Sequence, residues 1–415
     1  MLAAVKPVAA LSALRERNLA LLVASGTISS LGSGMAQVAL AFAVLRIGSA
    51  SDLGLVFLAR EIPIVAFLLI GGVWADRVSR KWLLVVGDAT TGAAQALTAL
   101  LFLTHHAQIW NVAALQVLFG VANAFTRPAS TGLIPQAVSA AHLQEANALS
   151  DLGRSTMRIA GPAIGAVIVV VANPGWALAA DAASFIVSGL LRAQMRISRA
   201  ARPQRATLVA DLRDGWGEFT ARTWVWVMVA SFGFFQLTLF PAMLVLGPVI
   251  AKEHLGGAGA WGAILAFQAA GSVAGGLLAL RLRPERPLLA SCLLMIPTAG
   301  FLAILGLAAP VAVLCLIGFI AGAGLTSGDI LWVTTFQQRI PEHLISRLSS
   351  FDWLGSVALN PIGYALVGPL AGAIGVAETL YVAAAINAVV SITVAMTPSI
   401  RGLRTSAEPV VGVAT

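Results

Sequence analysis

From Pro287 to Gly328 the chain holds no Asp, Glu, Lys or Arg. A helix needs about 20 residues to cross the hydrocarbon of a bilayer, so this one stretch is long enough to cross it twice. Leu255 to Leu280, Trp353 to Ala377 and Thr379 to Ile400 are equally bare, and each suffices for one crossing. They are built from Ala, Leu, Val, Ile and Gly, apolar all round and without period-2 alternation, which excludes an outer-membrane barrel.

The remainder has the same character. Of 415 residues, 58% are hydrophobic and 11% charged, against about a quarter charged in soluble domains. Apolar runs bounded by charge, Gly or Pro place spans at roughly 19–45, 52–75, 82–104, 109–131, 147–171 and 175–195, then at roughly 224–250, 259–281, 287–308, 310–332, 349–371 and 376–397. The expected fold class is an all-α membrane protein of twelve transmembrane helices in two pseudo-symmetric six-helix bundles. Residues 1–195 would form the first bundle and 223–398 the second. Between them, 196–222 would be a cytoplasmic linker with a short amphipathic helix around Leu208 to Phe219, and 399–415 would be a cytoplasmic tail. The apolar stretch from Leu19 is too long for a cleaved signal and reads as a retained span.

Charge sets the orientation. Basic residues gather on the cytoplasmic side of alternate loops. With both termini inside, twenty of the 26 Lys and Arg residues fall on the inner side, only Arg46 and Lys252 fall outside, and Arg60, Arg127, Arg154 and Arg158 lie within or at the edges of spans. The net charge of +8 is matched by anionic inner-leaflet lipid, and no nucleic-acid partner is needed. The expected location is the plasma (inner) membrane, multi-pass. Cys292 and Cys315 lie in apolar runs without metal or redox spacing. His105, His106, His142, His254 and His343 fall near loops, and no metal site is expected. Ile134-Pro135 recurs as Ile340-Pro341 about half a chain later, as a duplicated six-span unit would have it.

Two motifs stand at telling places. Between spans 2 and 3 runs Gly71-Gly72-Val73-Trp74-Ala75-Asp76-Arg77-Val78-Ser79-Arg80-Lys81. Gly72 permits close helix approach, Asp76 suits a helix N-terminus, and Arg77, Arg80 and Lys81 suit acids or lipid phosphates. Span 5 contains Gly161-Pro162-Ala163-Ile164-Gly165-Ala166, where proline bends the helix and the glycines allow a tight crossing. The first resembles the loop motif of the major facilitator superfamily, with Ser79 where the family usually has Gly. The second resembles that family's antiporter motif, with Ala166 in place of the final Gly and Met157 in place of an earlier one; a plain kinked helix is the other reading. The family's arginine in span 4 is absent, since Gln116 stands there ahead of Gly120. Ala59-Arg60-Glu61-Ile62-Pro63, Asp181 to Phe185 and Gln337 to Gly368 resemble the macrolide-efflux and enterobactin-exporter branch of drug:proton antiporters. The resemblance covers nearly the whole chain and implies proton-driven export of small molecules, with Asp76 and Arg77 latching the inward gate.

Charges inside a membrane are costly and mark functional positions. Glu61 lies near the middle of span 2, beside Arg60 and before Pro63. Helix neighbours point about 100° apart, so Arg60 and Glu61 do not neutralise each other face to face. Either Glu61 carries a proton, or it pairs with an arginine such as Arg127, Arg154 or Arg158. Asp329 is a further coupling candidate, although it and Asp352 sit nearer the inner ends of spans 10 and 11, where solvation or capping would suit them. Asp181, toward the outer part of span 6, suggests packing. Span 7 is aromatic, with Trp224 and Trp226 expected in the interfacial belt. Phe234, Phe235 and Gln236, with Phe267 and Gln268 of span 8, are the expected lining of a substrate cavity, against lipid-facing or core packing for any single one.

Other function classes find little support. None of Lys6, Lys81 and Lys252 follows a glycine, so no phosphate-binding loop for ATP exists. Gly257-Ala258-Gly259-Ala260-Trp261-Gly262 matches a dinucleotide fingerprint only by letter, with no strand before it. No cluster of His, Asp or Ser suggests a membrane-embedded enzyme. The expected protein is a non-enzymatic transporter without cofactors, acting as a monomer on a small molecule, with protons and membrane lipid as its other partners. An importer or a lysolipid flippase is the alternative on the same fold.

Overall fold

A computed structural model describes residues 16–138, 143–197 and 216–404. Helix α1 spans Arg17–Ile47, α2 Ala50–Arg77, α3 Arg80–Leu103, α4 Ile109–Ala137, α5 Leu143–Val171 and α6 Pro174–Ala193. The second set begins with α7, Thr223–Pro241, which continues through a π-helical turn, Ala242–Leu246, into α8, Gly247–His254. Then follow α9 (Ala258–Ala279), α10 (Pro287–Gly306), α11 (Val311–Arg339), α12 (Glu342–Val357), α13 (Asn360–Ile374), α14 (Val376–Met396) and the short α15 (Pro398–Arg401). Eleven helical segments are long and apolar enough to cross a membrane among the described residues, with α7 to α8 forming one of them. The 28-residue α2 supplies the twelfth crossing.

Helix ends fall where local chemistry stops the chain. Asn173 caps α6, its side chain accepting from the Gly175 N–H at 2.9 Å, with Pro174 in the first turn where no donor is needed. Gln108 and Asn111 form a reciprocal cap on α4. Ser79 opens α3 at φ −62° and ψ 116°, so the turn after α2 needs no glycine there. Pro241 has no N–H to donate, and the wider π-helical turn follows it directly. The amphipathic helix expected around Leu208 to Phe219 lies largely outside the described residues; 216–221 are helical.

Packing repeats between the halves. In the first bundle α1 packs on α5 and α6, α3 on α4 and α6, and α2 on α4. In the second, α7 packs on α12, α13 and α14, α10 on α11 and α14, and α9 on α11. The bundles meet chiefly through α5 against α9 and α2 against α13. Both contacts rest on small residues, as helix pairs in lipid require. A Cβ on Gly161 would stand 2.8 Å from the Gly34 Cα, and one on Gly165 would stand 2.6 Å from the Met35 Cα, so α5 lies backbone to backbone on α1. On its other side, a Cβ on Gly262 of α9 would meet the Ala166 Cβ at 2.2 Å. Ala166 therefore fits because α9 offers the glycine that α5 lacks.

Loops at one end of the molecule carry Arg80, Lys81, Arg196, Arg222, Arg281, Arg283, Arg286, Arg339, Arg401 and Arg404, while the opposite end has Arg46 and Lys252. These are called the arginine-rich and arginine-poor ends below. Trp226 is exposed, but Trp224 packs edge-on against Trp332 at 5.9 Å within the second bundle.

Candidate functional site

Between the bundles lies a cavity of about 1270 Å³. It reaches Leu84, Ala148, Arg192 and Leu280 at the arginine-rich end, whereas none of its described lining comes from Ala41–Ile47, Ala50–Val56 or Ala258–Ile264 at the other. There the bundles are closed: Gly54 lies under the Tyr364 carbonyl, Gly368 packs on the Ser51 backbone, and the Lys252 ammonium donates to the Leu45 carbonyl. The cavity is thus open at the arginine-rich end and sealed at the arginine-poor end.

The walls differ in kind. Arg60, Glu61, Asp88, Arg127, Asp151, Arg158, Asp181 and Arg192 all line it, and all belong to the first bundle. The second bundle contributes no Asp, Glu, Lys, Arg or His among the described lining residues; it presents Phe240, Met243, Leu244, Leu265, Val273, Leu277 and Leu325, with Gln268, Ser272, Thr326 and Tyr364 among them. Met243 and Leu244 lie on the π-helical turn, the kind of local widening that helices often carry at functional sites.

Glu61 finds neither Arg60 nor the arginines expected for it. Its carboxylate accepts from the Asn360 side-chain amide across the α2–α13 contact at 3.2 Å. The Asn360 carbonyl oxygen is buried without a partner. The Arg60 guanidinium lies 4.1 Å over the Phe119 ring, a cation–π arrangement, and its Nε is buried without a hydrogen bond. Arg154 pairs with Asp151 at 2.7 Å. Arg127 is exposed and makes no ion pair among the described residues. Arg158 is exposed and bonds the Ser155 hydroxyl at 3.2 Å.

Two buried networks went unread in the sequence. Asp181 is fully buried and accepts from Gln95 at 2.6 Å, and Gln95 in turn accepts from Gln116 at 3.4 Å. The expected packing role of Asp181 is therefore corrected to a hydrogen-bonded carboxylate at the cavity wall. Gln116, standing where the family carries arginine, belongs to the same relay. Nearer the arginine-rich end, Asp88 takes both oxygens to Arg192, at 2.8 and 2.9 Å, and accepts from Ser188 at 2.8 Å. A polar residue amid an apolar span, such as Gln95 or Asn360, was the available signal.

The residues expected to line a substrate cavity fall in different places. Gln268 lines the cavity, its amide 3.4 Å from the Met243 sulfur. Phe234, Phe235, Gln236 and Phe267 do not. Phe234 and Phe267 are exposed on the outer surface and Phe235 is buried against neighbouring helices. The helices are apolar on every face, so depth was readable but rotation about the axis was not. Asp329 likewise lies outside the cavity, exposed beside Asp352. Of the loop motif, the side chains of Gly72, Asp76 and Arg77 lie outside the described residues. Lys81 donates to the Met195 carbonyl at 2.8 Å and covers the Trp82 ring. Pro162 lines the cavity, and Gly161 and Gly165 form the α1–α5 contact.

A family sequence model described as Major Facilitator Superfamily matches residues 22–355. The chain belongs to that superfamily. Among its relatives, Multidrug efflux pump Tap of Mycobacterium tuberculosis is 28% identical over 88% of this chain and 90% of its own length. Macrolide efflux protein A of Streptococcus pyogenes is 23% identical over 61% of this chain and 64% of its own length. The major facilitator fold also recurs in solved structures. The nucleoside transporter NupG D323A mutant superposes with TM-score 0.75 at 11% identity, covering 91% of this chain and 98% of its own. A bacterial homologue of the lysosomal transporter Spinster, in an inward-facing, unoccupied conformation, gives 0.72 at 14% identity, covering 97% and 100%. As a superfamily member, the chain is a multi-pass membrane transporter of small molecules.

Proposed function

We propose that the protein is a secondary active exporter of small amphiphilic molecules, working by alternating access and proton antiport in the plasma membrane. What carries this reading is the two-sided cavity. A tail buries against Phe240, Leu244, Leu265 and Leu277, while a polar head stays with the charged wall of the first bundle. The basic loops belong on the cytoplasmic side, with both termini there, so the cavity faces the compartment from which an exporter loads. The similarity to multidrug efflux pump Tap and macrolide efflux protein A supports the outward direction.

Bundles 1–195 and 223–398 rock against each other along α2–α13 and α5–α9, with 196–222 as linker and 399–415 as tail. Gly72, Asp76, Arg77, Arg80 and Lys81 latch the cytoplasmic side when the cavity faces out. Gly161, Pro162 and Gly165 serve as the close-packed pivot of α5. Glu61, with Arg60 and Arg127 nearby, carries the coupling proton: it releases it to the cytoplasm as substrate enters, and takes up another outside as substrate leaves. Opening the sealed arginine-poor end breaks the Glu61–Asn360 bond, which ties the protonation step to the movement of the bundles.

Inside-out vesicles carrying a proton gradient and loaded externally with a fluorescent amphiphile test the reading. Substrate-dependent uptake with dissipation of the gradient is expected for the wild-type chain, and Glu61→Gln should still bind but no longer move protons. Uptake unaffected by a protonophore would refute antiport, and normal proton movement in Glu61→Gln would remove Glu61 from the coupling role.

A further inference from the structure

Given the exporter reading, we infer that the preferred cargo is an anionic amphiphile, whose carboxylate, sulfonate or phosphate head is held by Arg127 and Arg158 in front of Arg60. The inference starts from the charge balance of the polar wall. Asp88 is tied to Arg192 and Asp151 to Arg154. Among the described lining residues that leaves Arg60, Arg127 and Arg158 facing Glu61 and Asp181, an excess of positive charge. The two carboxylates are the less available groups. Asp181 is fully buried, its carboxylate accepting from Gln95 at 2.6 Å and from the Ser184 hydroxyl at 3.5 Å, and Glu61 accepts from Asn360 on the opposite bundle.

The arginines are the reverse case. Arg127 and Arg158 are exposed to the cavity, and neither forms an ion pair with a described residue. Arg60, Arg127 and Arg158 line the same cavity, and the Arg60 Nε is buried there without a hydrogen bond. An anion entering there gains charge-assisted hydrogen bonds and offsets positive charge that is costly at membrane depth. A cation meets the arginines first and reaches only a carboxylate already engaged. Among the described lining residues, no charge on the apolar wall offsets this preference.

Three probes with one apolar body separate the possibilities: pyrenebutyrate, its trimethylammonium analogue and the neutral pyrenebutanol. Binding to the purified full-length protein in detergent is read by equilibrium dialysis, and movement is read in inside-out vesicles. Pyrenebutyrate should bind about tenfold or more tightly than the cation, the size of one charge-assisted contact. Arg127→Gln and Arg158→Gln should each lower that ratio several-fold, while Arg127→Lys keeps most of it; circular dichroism confirms that each variant is folded. Equal binding of the three probes, a preference for the cation, or an anion preference unmoved by both glutamine variants overturns the inference. Its fate is separate from that of the exporter reading. Vesicles that move the cation and not the anion leave export standing and remove the charge assignment, whereas tight, arginine-dependent anion binding without movement of any probe keeps the assignment and removes export.

Discussion

Asp88 and Arg192 illustrate what a single side chain does in this setting. Their ion pair is nearly withdrawn from solvent, with side-chain exposures of 5% and 12%. Removing one partner strands the other charge, so Asp88→Ala should destabilise the protein by about 3–5 kcal/mol, read as a lowered thermal midpoint in detergent. Combining it with Arg192→Met should recover most of that loss, because the stranded charge is gone. Glu61 and Arg60 were conspicuous in the sequence because charge is expensive inside a membrane. Their partners were not, since Asn360 comes from a helix about 300 residues away and Phe119 from α4, and neither pairing has a local signature.

Glycine spacing governs the contacts between helices. Gly262 and Ala166 share one crossing, and a side chain at Gly262 has nowhere to go. Gly262→Val should open the α5–α9 contact and cost about 1–3 kcal/mol by overpacking, whereas Gly276→Ala on the same helix, with nothing within 4 Å of its added carbon, should be nearly neutral; thermal midpoints of the two variants check this. Gly120 is constrained in the same way by the Arg60 carbonyl, 2.2 Å from where its Cβ would stand, so α2 and α4 touch at the level of the charged wall. The dinucleotide-like glycines around Trp261 find their meaning here: Gly262 admits α5, and Gly257 adopts φ +89° before α9. The aromatic run of α7 was legible as a membrane span. Its rotation was not, and the π-helical turn that presents Met243 and Leu244 to the cavity depends on how α7 continues past Pro241.

At the scale of the whole molecule, the cavity's one open end makes a directional forecast. With the arginine-rich end cytoplasmic, Leu277→Cys on the apolar wall should react with an impermeant maleimide in inside-out vesicles and stay unlabelled in right-side-out ones. Leu45→Cys, placed at a 5% exposed position of the sealed end, should resist labelling from either side until the bundles tip outward. The native Cys292 and Cys315 are buried and should give little background. The opposite labelling pattern would reverse the orientation. Taken alone, the sequence determined the all-helical membrane fold and the course of its apolar spans, because hydrocarbon thickness and the cost of charge act on each segment separately. Only the tertiary structure decided which faces turn inward, that all the described charge of the cavity sits on one wall, and that Glu61 meets Asn360. Those outcomes depend on how uniformly apolar helices rotate and dock against one another, and that is settled by small-residue packing between distant segments rather than by local pattern.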